Sequence, residues 1–190
     1  MGKLIAFDMV TLDGFFAGPN GEIDWHRVDA EFNEFAVAQL NSVETLVFGR
    51  ITYQMMAGYW PSPEAVKDDP VVAGLMNSKP KIVVSRTLHQ ADWNNTRLIG
   101  KNVDEELARL KQQPRQDLIL MGSGNLAATL ANMNLIDEIR LIVVPVVLGR
   151  GRGLFEGVDG PRELRLVNTR TFGNGNVLLT YRSTGMRKEA

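Results

Sequence analysis

Three short segments each place a glycine, a hydroxyl or a guanidinium directly after an apolar run, and each has the makings of an anion site. Asp117–Asn125 (DLILMGSGN) passes from a predicted strand through Gly122–Ser123–Gly124 into a predicted helix. Glycine lets the backbone approach a ligand closely, and the free N–H groups of a helix start favour phosphate. The plainer reading is that glycine makes a short strand-to-helix turn possible. Gly49–Arg50–Ile51–Thr52 repeats the order after the run Glu44–Phe48. Arg50 can hold a phosphate bidentately and Thr52 can cap a helix while touching an anion; the alternative is a capped helix with Arg50 facing solvent. Ser85–Arg86–Thr87 closes the run KIVVS, and hydroxyl, guanidinium, hydroxyl suits a terminal phosphate such as the 2′-phosphate of NADPH. Alone it would pass for a polar strand end. Together the three are more informative, because ligands of open α/β sheets sit at the carboxyl ends of strands.

The loop Thr11–Trp25 adds a different element. It is long, and it sets Phe15, Phe16 and Ala17 between Gly14 and Gly18. Such a segment can lie over a flat ring and exclude water, or it can be a surface loop held by its own aromatics.

These segments need a frame. Lys3–Met9, Glu44–Phe48, Lys81–Ser85 and Asp117–Met121 are predicted strands. Asp29–Asn41 has Phe32, Phe35, Ala36 and Leu40 at helical spacing with Asp29 as N-cap. Helices are also predicted after Gly49, over Asp104–Lys111 and over Asn125–Met133. Glu138–Val147 is a long buried strand interrupted by Pro145. From Leu164 to Tyr181 two alternating stretches flank Gly173–Asn174–Gly175–Asn176, a hairpin signal. Strands alternate with helices as far as Met133 and strands alone follow, which predicts a mixed α/β sheet in one domain with an antiparallel hairpin added at its edge.

Composition narrows the partners. The 190 residues carry a net charge of −1 and no cysteine, so disulfides, zinc–thiolate sites and thiol nucleophiles are excluded. His26 and His89 show no metal-ligand spacing. The pI of about 6.1 and the lack of a basic stripe argue against nucleic acid. The opening segment is too weakly charged and too short in its apolar run for a signal peptide, and no run approaches the ~20 apolar residues of a membrane helix. A cytoplasmic protein is expected. Ile139–Val147 and the terminal hairpin offer an edge or face to a second copy, making a homodimer an expectation as well.

The order of these pieces resembles the dihydrofolate-reductase-like family, in particular the C-terminal reductase domain of the bifunctional riboflavin-biosynthesis deaminase/reductase. TLDG (11–14), GEIDW (21–25) and LIDEIRLIVVPVVLGRGRGLF (135–155) look like the riboflavin-type domain, while LVFGRITY (46–53) looks more like dihydrofolate reductase. KIVVSRT and LMGSGN stand where the family has its adenosine-phosphate and pyrophosphate loops. The resemblance spans nearly the whole chain. It implies one domain over 1–190 with a mixed, mainly parallel central sheet, helices on both faces and a C-terminal antiparallel hairpin.

The same resemblance implies NADPH as hydride donor and an activity similar to that of 5-amino-6-(5-phosphoribosylamino)uracil reductase, acting on a pyrimidine- or pterin-like substrate. Arg50, Ser85 and Arg86 would hold the 2′-phosphate. Thr52 and the backbone of Gly122, Ser123, Gly124 and Asn125 would hold the pyrophosphate. Ala17 and Gly18 would lie beside the nicotinamide, and Thr11, Asp13 and Trp25 would border the substrate. Asp13 and Asp24 are the candidates for a carboxyl that orients or protonates substrate, with a pKa raised beside a dry ring. Two other readings are dihydrofolate reduction and a nucleotide-binding module without catalysis. The chain differs from its relatives in having Met121 where the riboflavin-type domain has Glu, and Asn33 where an ungapped count places the folate acid, with Glu31 and Glu34 on either side.

Overall fold

The first strand, β1 (Leu4–Thr11), is buried along its whole length. A strand hidden on both faces needs a layer on each side, and the chain supplies both. The computed structural model describes residues 1–113, 117–122 and 124–184. After β1 come β2 (Phe15–Ala17), α1 (Ala30–Asn41), β3 (Thr45–Gly49), α2 (Arg50–Tyr59), α3 (Pro63–Asp68), α4 (Pro70–Ser78) and β4 (Lys81–Val84). Then follow β5 (Thr96–Ile99), α5 (Val103–Lys111), β6 (Leu118–Met121), α6 (Gly124–Asn132), β7 (Glu138–Val144), β8 (Arg152–Gly153), β9 (Leu164–Thr171) and β10 (Val177–Ser183). The main sheet has eight strands in the order β5-β4-β3-β6-β1-β7-β10-β9. Neighbours from β5 to β7 are parallel, and β10 and β9 close the sheet antiparallel. The expected mixed sheet with a terminal hairpin is the observed one.

Alternation along β1 sorts the layers. Ile5, Phe7 and Met9 face α1, α2 and α4 through Phe32, Leu40, Tyr53, Val72 and Met76. Leu4 and Ala6 face α5 and α6 through Leu107, Leu126, Ala127 and Leu130. Each fully buried Leu contributes roughly 1.5–3 kcal/mol. Asp8 falls in the second register, among these aliphatics.

Caps set the helix starts. Asp29 accepts from Phe32 N–H at 2.9 Å as expected, Ser62 caps α3 and Asp69 caps α4. Gly49, before α2, brings no side-chain acceptor. Lys81 is buried at the start of β4, where its ammonium donates to the carbonyls of Asn77 (3.0 Å), Lys79 (2.8 Å) and Asn94 (2.9 Å). Burial pushes its pKa down to about 8, while the three carbonyls oppose that shift by stabilising the charge.

Several expectations change. The first loop is not all loop: Phe15–Ala17 pairs with Arg152–Gly153 in a small separate sheet. The helices α3 and α4 and the strand β5 lie in stretches where no element was expected. The strand Glu138–Val147 ends at Val144, because Pro145 has no N–H to continue a ladder. It also lies between β1 and β10, so its edges are used within the chain; the exposed outer strand is β9.

Candidate functional site

The carboxyl ends of β4, β3 and β6 stop at one level, while β1 beside β6 runs on to Thr11. Gly49 of β3 pairs with Val84 of β4, so Arg50 and Ser85 leave the sheet side by side. Val47 pairs with Leu120, which brings Gly49 and Gly122 level two residues on. Phe7 pairs with Met121, and Gly122 N–H donates to Phe7 O at 3.3 Å. The strand ends carrying Ser85, Arg50 and Gly122 are therefore neighbours, and the starts of α2 and α6 rise from them. Two helix starts beside a guanidinium, that of α2 with no side-chain cap, form an anion-attracting edge.

Gly122 has φ +70°, a left-handed conformation in which a Cβ is strained. A Cβ there would stand 3.2 Å from Thr52 Cγ2, 3.3 Å from Thr52 Oγ1 and 3.8 Å from Asp8 Oδ1. Thr52, Gly122 and Asp8 thus meet at one point. Ser123 lies outside the described residues; Gly124 and Asn125 form the first turn of α6.

Asp8 lies within the predicted strand Lys3–Met9, and the sequence does not mark it as a site residue. The signal was an acid within an apolar strand, a residue type almost never buried unless paired. Its Oδ2 has no hydrogen-bond partner among the described residues, and burial alone pushes its pKa up to about 8. The unfolded chain ionises Asp8 near pH 4. Below that pH both states hold the proton; above it only the folded chain does. The fold therefore loses about 1.4 kcal/mol of stability for each pH unit from roughly 4 to 8. An Asp kept at that cost has no packing reason to be there.

The first loop is clasped rather than loose. Thr11 Oγ1 donates to Asp13 Oδ1 at 2.6 Å and accepts from Phe15 N–H at 3.0 Å. Asp13 also accepts from Leu148 N–H (3.2 Å) and Gly149 N–H (2.7 Å). The expectation of a raised Asp13 pKa is corrected: the Thr11 hydroxyl and then these backbone donors hold the exposed carboxyl below its usual range. Asp24 is exposed, and no contact with the strand ends is seen for it among the described residues. Trp25 is half-buried, donates its indole N–H to Glu22 O at 3.2 Å and packs on the α1 side of the sheet. Beside it, burial pushes His26 down to about 4, leaving a neutral imidazole whose Nε2 has no partner among the described residues.

Phe16 lies over the start of α6. A Cβ on Gly124 would stand 2.6 Å from Phe16 Cε1 and 3.0 Å from Leu154 O. Ala17, buried, is met by Gly151 in the same way at 2.5 Å from its carbonyl oxygen. Gly18 has Glu22 Oε2 against the position a Cβ would take, so the loop closes tightly on itself.

At the other end of the row, Ser85 Oγ accepts from Thr87 N–H (3.1 Å) and Leu88 N–H (3.0 Å), which shapes the turn that presents Arg86. Arg86 is exposed, and Arg50, also exposed, bonds among the described residues to Gln54 Oε1 at 3.1 Å. Of the acids near the folate position, Glu31 accepts from Arg170 (2.9 Å) and Gly173 N–H (2.8 Å), tying α1 to the terminal hairpin.

The family model of the RibD C-terminal domain matches residues 2–178. A Bacillus subtilis (strain 168) protein described as uncharacterized, YyaP, is 40% identical over 178 residues, covering 93% of this chain and 92% of its own. Among solved structures, a Thermotoga maritima diaminohydroxyphosphoribosylaminopyrimidine deaminase/5-amino-6-(5-phosphoribosylamino)uracil reductase superposes with a TM-score of 0.68 at 16% identity, over 96% of this chain and 56% of the longer protein. An Enterococcus faecalis dihydrofolate reductase complexed with NADP(H) gives a TM-score of 0.65 at 19% identity, over 97% of this chain and 98% of that one. At these identities the two structures establish a shared fold.

Proposed function

Since the chain belongs to the RibD C-terminal domain family, we propose that it is a cytoplasmic oxidoreductase that uses NADPH to reduce a small pyrimidine- or pterin-like compound. The observation that supports this best is the level row of strand ends carrying Ser85–Arg86, Gly49–Thr52 and Gly122–Asn125. Its length and alternating donors suit a ligand with negative groups at two separated points, which is what a phosphorylated dinucleotide presents. Arg50 and Arg86 take the 2′-phosphate, with Ser85 holding the turn. Thr52 and the amides of Gly122, Gly124 and Asn125 take the pyrophosphate. Ala17 and Gly18 flank the nicotinamide end, and Thr11, Asp13 and Trp25 border the substrate.

When bound, the dinucleotide would supply a hydride to an electron-poor carbon of the substrate. The chain's part is then positioning and exclusion of water. Asp13, held ionised by its donors, fixes the loop and orients substrate as an acceptor. A pterin substrate would need an acid on α1, and Glu31 is already engaged by the hairpin, so a pyrimidine-like compound is the better match.

Titration with NADPH in a calorimeter should give a single binding event. Ligand at about one hundred times Kd should raise the melting temperature by roughly 5–10 °C, since it adds about 2.7 kcal/mol. No heat together with no thermal shift would end the reductase reading.

A second copy would pair along β9. It is an eight-residue edge strand, exposed almost throughout, with Leu166 51% and Val167 37% exposed. Free strand edges invite pairing. A sedimentation mass near 21.1 kDa at micromolar concentration, rather than twice that, would remove the dimer.

A further inference from the structure

We infer that Asp8 positions the bound dinucleotide, its buried carboxyl donating a hydrogen bond to a phosphate oxygen held at the Thr52–Gly122 junction. The inference rests on the NADPH reading above. Its own footing is geometric: Asp8 Oδ1 lies 3.8 Å from the point a Cβ on Gly122 would take, Thr52 lies 3.2 Å from that same point, and Oδ2 is buried without a partner among the described residues. A buried polar atom left unpaired is costly unless something completes it. The proton is on the carboxyl at neutral pH, so the group is a donor, and a carboxylic acid is a strong donor to an anionic oxygen. Ionised, the same group would oppose a phosphate, because two negative charges this close in a dry site repel strongly.

Among the described residues, the surroundings supply no competing charge on that face. The strand β6 and the helix α6 carry no ionisable side chain among their described residues. On β7, Glu138 and Arg140 pair in register with Ile5 and Phe7, hence on the opposite face, and bond to each other. On α2 stand Arg50, which is exposed, Tyr59, and Tyr53, whose hydroxyl accepts from Trp93 N–H. On α5, Lys111 pairs with Asp137, and Glu106 with Arg97 and Arg109. Burial is accordingly the sole cause of the raised Asp8 pKa.

The test is the dissociation constant of NADPH, read from its fluorescence between pH 6.5 and 9.5, for the natural chain, Asp8→Asn and Asp8→Leu. The 2′-phosphate ionises near pH 6, below this window, and arginines stay charged throughout it. The natural chain should hold a constant Kd up to about pH 8 and weaken about tenfold per unit above it. Asp8→Asn keeps a donor without an ionisation, so it should bind within about threefold of the natural chain at pH 7 and stay level to pH 9.5. Asp8→Leu should bind about tenfold more weakly at every pH. In parallel, saturating NADPH should raise the midpoint of the Asp8 carboxyl ¹³C signal, which a purely structural carboxyl would not show, and which needs no variant to fold. An Asp8→Asn slope equal to that of the natural chain would assign the titration elsewhere, Lys81 included, and overturn the inference. So would an unmoved carboxyl midpoint, or normal binding by Asp8→Leu. No NADPH binding by the natural chain at pH 6.5 would instead remove the cofactor reading itself, and this role with it.

Discussion

Gly122→Ala should weaken NADPH binding by about 100-fold or more and destabilise the fold by about 1–3 kcal/mol. Two independent effects add. With φ at +70°, any residue bearing a Cβ sits in a left-handed conformation that costs roughly 1–2 kcal/mol. The new methyl also arrives 3.2 Å from Thr52 Cγ2 and 3.3 Å from Thr52 Oγ1, tighter than ordinary contact. Thr52 must yield or the turn must open, and either movement displaces the groups assigned to the pyrophosphate. Misplacement of a binding group by about 1 Å is enough for a loss of two decades. Fluorescence titration and urea unfolding read the two effects separately. A variant that is destabilised yet binds NADPH within threefold would show that this turn does not grip the ligand.

The pair Arg50→Ala and Arg86→Ala is expected to lose about 50-fold in affinity for NADPH and less than about threefold for NADH. Both guanidinium groups are exposed, and among the described residues their one hydrogen bond is that of Arg50 to Gln54 at 3.1 Å. Each is thus free to turn toward a phosphate. Solvent screening reduces a charge-assisted bond at such a site to about 1–1.5 kcal/mol, and two of them make up the stated ratio. The difference between the two dinucleotides is a single phosphate, so the ratio of affinities isolates that contact from everything else in the site. Raising salt should shrink the NADPH preference of the natural chain and leave the double variant unchanged. Equal losses for both dinucleotides would move these arginines away from the 2′-phosphate.

Much of the frame was legible because it depends on local patterns. The runs LVF, IVV and LILM are continuous apolar stretches bounded by polar or glycine residues, as both-face-buried parallel strands must be. Asp29 announced α1 by its capping chemistry. Elements of weak pattern escaped: β5 carries an exposed Arg97, and β2 and β8 are too short to show alternation. In the site, residues whose type implies a phosphate contact could be named from spacing. Those whose role comes from enclosure could not. Asp8 looks like any acid until the layer containing Leu126 and Leu130 is built over it. Asp13 looked fit to be an acid because, besides the nearby Thr11 hydroxyl, two of its donors, Leu148 and Gly149, lie more than 130 residues away in the chain. Glu31 and Arg170 are similarly remote in sequence, so nothing local revealed that the α1 acid was taken.

The missing side-chain cap at Gly49 leaves the first turn of α2 less secure than those of α1, α3 and α4, each of which has an Asp or Ser acceptor. A cap of that kind is worth about 1 kcal/mol, so the opening amides of α2 should trade their hydrogens with deuterated solvent sooner than those of its capped neighbours. An anion docking there would serve as the absent acceptor and slow that exchange. Isotope uptake at Arg50 through Tyr53 therefore offers a local fingerprint of occupancy, readable even where turnover has no known substrate.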